Sequence, residues 1–417
     1  MVGNTHPYTI EDWLEDIKLA HRHDIDGFAL NIGRESWQRD RVLDCYAAAL
    51  QSQLHFKLFI SFDMTSIPSE REEDIGLLLD YVRLVSQHPN QFLYDGKVMI
   101  STFAGENSMF GHADLNHGWM AVKKALEGIK PIHLIPSFFV EPARHPKLKC
   151  SDGYFNWNGG WPLHLTPNSP PEEIRCPRLD TDSHHIRHLS GKTFMAAISP
   201  WFFTHYGAAS WNKNWIYRGD DWLLVRRWEQ LVVARDNVDI VQIISWNDYG
   251  ESHYIGPIKG AQPNSQAWVN GYPHDAWLEL TSYFARAFKT GKYPPITTDT
   301  IYIWGRPHPK DAWAPDDVPR PRNWELTDDV FWVVVMATAP AIITLSSGSE
   351  DAKSFQLHAG LSKLCHPLVP GGTMRAELGR DGVLVTSCKP DSFEFQSCPV
   401  LYNFNALVAK SFRSIQH

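Results

Sequence analysis

The sequence predicts an α/β fold, a (β/α)8 barrel in residues 1–290 followed by a smaller, β-sandwich-like C-terminal domain. Apolar strand-like runs alternate with helix-like segments over the first part of the chain, a pattern typical of parallel strands buried on both faces. No Gly-rich phosphate loop follows the first run, as it normally would in an open doubly wound sheet. The chain has 417 residues, which leaves room for a second domain after a barrel of about 250–300 residues.

Seven runs have the composition of buried parallel strands. They are Asp26–Ile32, Phe56–Asp63, Lys97–Phe103, Ile132–Phe139, Gly153–Trp157, Thr193–Ser199 and Ile240–Trp246. Residues Met1–Asn4 are the candidate for a shortened eighth strand. Segments with helical periodicity lie between the runs. They are Ile10–His21, Trp37–Gln51, Glu70–Ser86, Asp114–Leu126, Asp220–Ala234 and Asp275–Phe288.

The texture changes after Lys292. Tyr293-Pro294-Pro295 opens a stretch of repeated prolines, which predicts an irregular linker over 291–328. The C-terminal domain is predicted to occupy 329–417, where short β-rich runs are separated by Gly, Pro and Ser turns typical of an antiparallel sandwich. These runs are Val330–Thr338, Ala341–Leu345, Gly382–Ser387 and Ser392–Gln396.

Composition excludes several classes of protein. With 43% hydrophobic and 21% charged residues, the chain is an ordinary globular protein, and a monomer is expected. A formal net charge of −8 argues against a nucleic-acid partner. No apolar run is long enough to span a membrane, and no signal peptide is visible at the start. The six cysteines lack metal-site spacing, so no metal is predicted. Cys365, Cys388 and Cys398 are candidates for a disulfide or for buried thiols.

The chain is rich in large aromatic residues, with 17 Trp and 14 Tyr. Core packing is the more common role for any single Trp. However, Trp157 and Trp161 flank Asn158-Gly159-Gly160, and Trp201 and Tyr206 lie in a loop-like stretch that also holds Trp211 and Trp215. Aromatic residues among polar and Gly neighbours indicate rings that face a cleft. Such a cleft suits sugars, whose C–H faces stack on aromatic planes.

Active-site residues of a (β/α)8 barrel lie at the carboxyl ends of its strands. This criterion selects Asn31, Asp63, Glu106, Glu141, Trp157 and the segment Trp246–Glu251. Asp63 ends an apolar strand, where desolvation would perturb a carboxylate. The alternative is that Asp63 caps the next helix or pairs with a nearby cation.

Asp248 and Glu251 are three residues apart after the last predicted barrel strand, and Gly250 between them permits a sharp turn. Two acids in one cleft are the minimum for glycoside hydrolysis, because one protonates the leaving oxygen while the other activates water or attacks carbon. The alternative is a solvated loop. Neither the Gly-x-Ser-x-Gly motif of serine hydrolases nor the His-Glu-x-x-His motif of zinc hydrolases is present.

Four segments together resemble glycoside hydrolase family 71, the fungal α-1,3-glucanases or mutanases. They are Met1–Thr5 (MVGNT), Asp26–Gly33 (DGFALNIG), Ser61–Met64 (SFDM) and Ser245–Ser252 (SWNDYGES). The resemblance implies hydrolysis of α-1,3-glucosidic bonds in cell-wall glucan by an inverting mechanism, without cofactor, at an extracellular or wall location.

The resemblance also implies that Asp63, Asp248 and Glu251 are the catalytic residues. We expect Glu251 to be the general acid and Asp248 the general base, with Asp63 positioning water or tuning a pKa. The expected substrate-binding residues are Asn31, Glu106, Trp157, Trp161, Trp201, His205, Tyr206, Trp246, Asn247 and Tyr249. Two other functions stay open: a catalytically silent carbohydrate-binding barrel, and a hydrolase of another α-glucan.

Overall fold

The structure, a computed structural model, describes residues 1–411, which form two compact units. The first unit comprises Met1–Gly160, Leu179–Ile198 and Gln230–Ile243. The second comprises Trp161–Arg178, Ser199–Glu229 and Ile244–His417. The last six residues of the predicted C-terminal domain, 412–417, lie outside the described residues. The predicted division into barrel, linker and C-terminal domain stays a prediction.

The strands and helices are numbered in chain order. The strands are β1 (Gly27–Ile32), β2 (Lys57–Asp63), β3 (Leu93–Tyr94), β4 (Lys97–Phe103), β5 (Ile132–Ser137), β6 (Gly153–Asn156), β7 (Thr193–Ile198), β8 (Phe203–His205), β9 (Asn214–Ile216), β10 (Ile240–Ile243), β11 (Thr300–Gly305), β12 (Val330–Ala337), β13 (Ala341–Ser346), β14 (Lys353–Leu357), β15 (Gly360–Pro367), β16 (Arg375–Arg380), β17 (Val383–Cys388) and β18 (Leu407–Lys410). The α-helices are α1 (Ile10–Arg22), α2 (Gln38–Ser52), α3 (Ile75–Val85), α4 (Leu115–Glu127), α5 (Pro171–Arg175), α6 (Thr181–Arg187), α7 (Leu223–Val233), α8 (Gln266–Val269) and α9 (Asp275–Thr290).

The first unit is built on parallel strands, which confirms the predicted α/β class. β1, β2, β4 and β5 pair in that order, all parallel, and β10, β7 and β6 form a second parallel set. β5 lies beside β6. All seven predicted strands are present, because continuous apolar runs such as the fully buried β5 and β7 need cover on both faces.

The predicted eighth strand is wrong. Val2–Asn4 forms a single turn of 3-10 helix beside β1. Three residues are too few for a strand that spans a sheet, and the hydroxyl and amide of Thr5 both donate to the carbonyl of Val2, which closes the turn.

The predicted helices are also present, and local signals explain their ends. Thr9 and Asp12 form a capping box at the start of α1. Asp114 accepts a hydrogen bond from the amide of His117 at the start of α4. Gly291, with φ of +73°, ends α9 in the left-handed conformation.

The C-terminal strands of the second unit form two antiparallel sheets. Their orders are β15-β12-β11-β18 and β14-β13-β16-β17. Inward residues of both sheets, such as Ile303, Val333, Ile343 and Leu378, share one hydrophobic core. Inward and outward residues alternate along these strands, as expected where each sheet buries one face.

Two sequence predictions in this region need correction. β11 lies within the predicted linker and pairs with β12 and β18, because the apolar run Thr300–Gly305 is buried despite its proline-rich surroundings. Ser392–Gln396 is not a strand. Its Phe393 and Phe395 are buried in the core from a loop, so their alternation reflects burial without strand pairing.

The structure tests the predictions for disulfides and for membrane-spanning helices. All six cysteines, which lie within the described part of the chain, are free, and Cys388 is one of three that are buried. The C-terminal cysteines are therefore thiols, but only Cys388 is a buried one, because Cys365 and Cys398 are exposed. No helix within residues 1–411 is long and apolar enough to cross a membrane.

Candidate active site

A closed loop after β10 carries the two acids. The amide of Ser245 donates to the carbonyl of His253 at 2.8 Å, and the amide of Ile255 donates to the carbonyl of Ser245 at 3.0 Å. These bonds join the two ends of the loop and leave Asp248 and Glu251 in its central part. An oxygen of each carboxyl group and one ring nitrogen of His253 all lie within 4.8 Å of one another. The loop brings Asp248 and Glu251 close together, as predicted.

The Glu251 carboxylate is held by two cationic or polar side chains. Its Oε2 lies 3.1 Å from Nε2 of His253, and its Oε1 lies 3.4 Å from Nζ of Lys213. His253 is 1% exposed, whereas the Glu251 side chain is 25% exposed and that of Lys213 is 49% exposed. The Glu251 carboxylate therefore faces solvent on one side and a buried hydrogen-bond donor on the other.

Asp248 has a drier environment. The residue is 8% exposed, and its backbone amide donates to Oγ of Ser245 at 2.8 Å. The same Oγ lies 3.0 Å from Nδ1 of His253. Ser245 thus connects the backbone of Asp248 to the imidazole that contacts Glu251.

The pKa values of the two carboxyl groups are shifted in opposite directions. Burial, together with the nearby charge of Glu251, raises the pKa of Asp248. Burial alone would raise the pKa of Glu251 as well, but the hydrogen bond from His253 and the ammonium of Lys213 outweigh it and lower that pKa. A proton shared by the pair therefore resides on Asp248.

Gly250 has a different role from the one expected. The positive φ in this loop belongs to Ser252, at +58°. A Cβ on Gly250 would lie 2.2 Å from the hydroxyl oxygen of Tyr206. Glycine is required here because the Tyr206 hydroxyl packs directly against the backbone between the two acids, where it donates to the carbonyl of Pro263 at 3.0 Å.

The other predicted carboxylates lie in the first unit. Asp63 ends β2, and its Oδ1 accepts from the amide and the hydroxyl of Thr65 at 3.0 and 2.6 Å. Asp63 therefore caps the turn that follows its strand. This role is close to the alternative in which Asp63 caps the next helix. Glu106 accepts from the amide of Phe139 at 3.2 Å. Two predicted substrate contacts also lie in the first unit: Asn31 donates to Oγ of Ser61 at 3.3 Å, and Trp157 packs on Phe103.

Most predicted aromatic and histidine contacts in the second unit are buried. Trp161, Trp201, Tyr206 and Tyr249 are at most 6% exposed. The indole N–H of Trp161 donates to the carbonyl of Trp201, that of Trp201 donates to the carbonyl of Phe404, and the Tyr249 hydroxyl donates to the carbonyl of Pro257. Their surroundings are those of packed side chains, so their contact with substrate stays a prediction.

Of the remaining predicted contacts in the second unit, two are buried and one is partly exposed. His205 is 5% exposed, and its ring nitrogens contact Asn214 and Asp316, each at 2.9 Å. Asn247 is buried, while Trp246 is partly exposed and its ring lies against Gly256.

Sequence reasoning did not identify Ser245 or Lys213 as contacts of the acids. Ser245 belongs to the same loop as Asp248 and Glu251, and its position shortly before Asp248 was an available signal. Lys213 comes from the hairpin of β8 and β9, which pair antiparallel. No sequence pattern connects a lysine 38 residues before Glu251 to its carboxylate. Among the described residues, Asp248, Glu251 and His253 are also the group that could hold a metal ion, although His253 is already hydrogen-bonded on both nitrogens.

Comparison with known proteins identifies the family. The model of glycosyl hydrolase family 71 matches residues 1–416. Glucan endo-1,3-alpha-glucosidase agn1 of Schizosaccharomyces pombe is 36% identical over 412 residues, covering 97% of this chain and 92% of that protein. Mutanase Pc12g07500 of Penicillium rubens is 32% identical over 418 residues, covering 99% and 87%.

Among solved structures, the GH99 endo-alpha-mannosidase from Bacteroides thetaiotaomicron is similar with a TM-score of 0.47 at 13% identity, covering 68% of this chain and 81% of that one. The match to the family model spans nearly the whole chain, and it agrees with the family predicted from the four sequence segments. The chain belongs to glycosyl hydrolase family 71.

Proposed function

We propose that this protein hydrolyses α-1,3-glucosidic bonds of a cell-wall α-glucan. Its family membership and the names of its relatives support the substrate. The observation that carries the proposal is the pair Asp248 and Glu251, whose carboxyl oxygens approach within 4.8 Å and whose pKa values move in opposite directions. Glycoside hydrolysis needs two carboxyl groups in one place, one with a raised pKa to donate a proton and one with a lowered pKa to stay ionised.

The pKa directions favour a division of roles opposite to the one implied by resemblance. Asp248, whose pKa is raised, is suited to donate a proton to the leaving oxygen. Glu251, which His253 and Lys213 keep ionised, is suited to activate water. We therefore propose Asp248 as the general acid and Glu251 as the general base. The participation of Asp63 stays a prediction.

Inversion of the anomeric centre is part of the proposal, and it requires movement. An inverting acid and base are usually about 6.5–9.5 Å apart, so that a water molecule fits beside the sugar. One oxygen of Asp248 and one oxygen of Glu251 lie within 4.8 Å of each other, which leaves less room for that water than the usual separation of the groups does. Glu251 is the more exposed of the two, so we propose that its side chain moves away from Asp248 when substrate binds. A first product with the β configuration, seen by proton NMR, would support inversion, and an α product would refute it.

The (β/α)8 barrel also belongs to the proposal. Seven parallel strands in the first unit, paired largely in chain order, support it. The eighth strand cannot come from Val2–Asn4, which is helical. An experimental structure that shows a closed ring of eight parallel strands would support the barrel, and an open sheet would refute it.

The main experiment is a substrate panel with purified protein. Insoluble α-1,3-glucan should release reducing sugar, while starch and β-glucans should not. Asp248→Asn and Glu251→Gln should each reduce turnover at least about a hundredfold if the groups transfer protons. Asp80→Asn is the matched control, because Asp80 is 67% exposed in a surface ion pair with Arg83. Full activity of both site variants would refute the site.

The same panel separates the two other functions. Binding to α-1,3-glucan without product would indicate a catalytically silent protein. Cleavage of a different α-glucan, identified by the linkage of the products, would indicate another substrate. We propose a location at the cell wall because one relative, 29% identical, is named ascus wall endo-1,3-alpha-glucanase.

A further inference from the structure

His253 and Ser245 form a hydrogen-bonded connection between the two acids, called here the His253–Ser245 bridge. His253 Nε2 lies 3.1 Å from Oε2 of Glu251. His253 Nδ1 lies 3.0 Å from Oγ of Ser245, and the same Oγ accepts from the amide of Asp248 at 2.8 Å. One ring nitrogen of His253 contacts the carboxylate, and Ser245 holds the other. A histidine held in this way can orient the group that it contacts.

The hydrogen-bond roles in the bridge follow from its end groups. An ionised Glu251 only accepts, so His253 Nε2 carries a hydrogen and donates it. The Ser245 oxygen accepts from the amide of Asp248, and its own hydroxyl hydrogen is then available for Nδ1. A neutral imidazole protonated on Nε2 satisfies every group. Ser245 can therefore donate to Nδ1 in the tautomer in which His253 donates to Glu251.

The surroundings of His253 restrict its ring to this position. The residue is 1% exposed, and the rings of Trp161 and Phe202 each lie 5.8 Å from the imidazole centroid. Rotation of the ring would move it against these aromatic neighbours. A buried hydrogen bond to a charged group is stronger than an exposed one, because water does not compete for it.

We propose that His253 and Ser245 are positioning residues that orient the Glu251 carboxylate for the reaction. The inference rests on the proposed function. The inference adds that the His253–Ser245 bridge orients the Glu251 carboxylate and also contacts the backbone amide of Asp248. Lys213, which is 49% exposed, supplies charge from the solvent side and cannot replace the directed bond from His253.

The first test compares His253→Phe with His253→Gln. Phe keeps an aromatic ring next to Trp161 but cannot donate, whereas Gln can place an amide N–H near the position of Nε2. We expect His253→Phe to lower kcat at least about tenfold with little change in KM, and to move the acid limb of the kcat profile to higher pH by about half a unit or more. His253→Gln should restore most of both. The charged and titratable groups that act on Glu251 in this comparison are Asp248, His253, Lys213, Tyr206 and Tyr217.

A second pair of variants tests the other end of the bridge. Ser245→Ala removes the oxygen that fixes the His253 tautomer, and Ser245→Thr keeps a hydroxyl there. We expect the Ala variant to shift the acid limb in the same direction as His253→Phe, by a smaller amount, and the Thr variant to stay near the wild type. His274→Phe is the control for loss of a buried histidine, because His274 is fully buried in the second unit and contacts the backbone carbonyls of Tyr254 and Ala406. It should lower stability without moving the acid limb.

A spectroscopic readout keeps this inference separate from the proposed function. In wild-type protein labelled with 15N-histidine, NMR should show His253 protonated on Nε2, and Glu251→Gln should change its nitrogen shifts. Wild-type protein that cleaves no α-1,3-glucan would refute the proposed function, while the NMR result still reports the bridge. The positioning role is overturned if His253 is protonated on Nδ1 alone, or if His253→Phe or Ser245→Ala loses activity with an unmoved acid limb.

Discussion

Acid should destabilise the first unit through a buried histidine that has no hydrogen-bond partner within the described part of the chain. His145 is 2% exposed, and neither of its ring nitrogens is paired. The Tyr154 ring lies 3.8 Å from it and the His185 ring 5.2 Å from it. Burial, with the nearby His185, Lys192 and His188, lowers the pKa of His145 from 6.5 to about 3.

The direction and size of the effect follow from this shift. The unfolded chain binds a proton near pH 6.5, whereas the folded chain does not bind it until about pH 3. The stability contribution is therefore complete above pH 6.5 and decreases as the pH falls toward 3. Each pH unit within that window costs about 1.4 kcal/mol, so the loss at pH 5 is about 2 kcal/mol.

The assay is denaturant unfolding of wild type and His145→Phe at pH 7.5, 6 and 5, followed by tryptophan fluorescence. The variant keeps a ring against Tyr154 but cannot take up a proton, so its pH dependence should be shallower than that of the wild type by about 2 kcal/mol between pH 7.5 and 5. His21→Gln, at an exposed position near the end of α1, should retain the wild-type dependence. Parallel curves for wild type and His145→Phe would refute the reasoning.

Three further outcomes are expected. Gly250→Ala should reduce turnover by at least about tenfold, because the Cβ of the alanine would lie 2.2 Å from the Tyr206 hydroxyl oxygen. Adding Tyr206→Phe to the same chain should restore part of the turnover. Unchanged turnover in the Gly250→Ala variant would contradict the close packing. Asp299→Asn should lower the free energy of unfolding at pH 7 by about 2 kcal/mol, measured by denaturant titration, because hydrogen bonds from Arg380 and Thr338 lower the pKa of Asp299 to about 2. That stability is present above about pH 4 and lost as the pH falls toward 2, so a difference from wild type that persists undiminished at pH 2 would contradict it. A reducing agent should leave the Tm unchanged, because all six cysteines are free, and a lowered Tm would reveal a disulfide.

The sequence alone determined the parallel strands, the helices between them and the loop that carries the acids. Apolar runs buried on both faces have few alternatives to a parallel sheet, and capping residues such as Thr9 and Asp114 mark helix starts locally. The spacing of Asp248 and Glu251 is also local, so their proximity followed from a single short loop. The resemblance of the same loop to its family then pointed to the substrate class.

Tertiary structure decided what depends on distant contacts. β11 becomes a strand only because β12 and β18 pair with it, and proline-rich surroundings conceal this. Three of the six aromatic residues predicted to face a cleft, Trp161, Trp201 and Tyr206, are buried, since packing neighbours from other segments determine exposure. The contact of Lys213 with Glu251 depends on where a hairpin folds. The pKa of each acid depends on burial and on charges brought near in space, and no spacing along the chain specifies these.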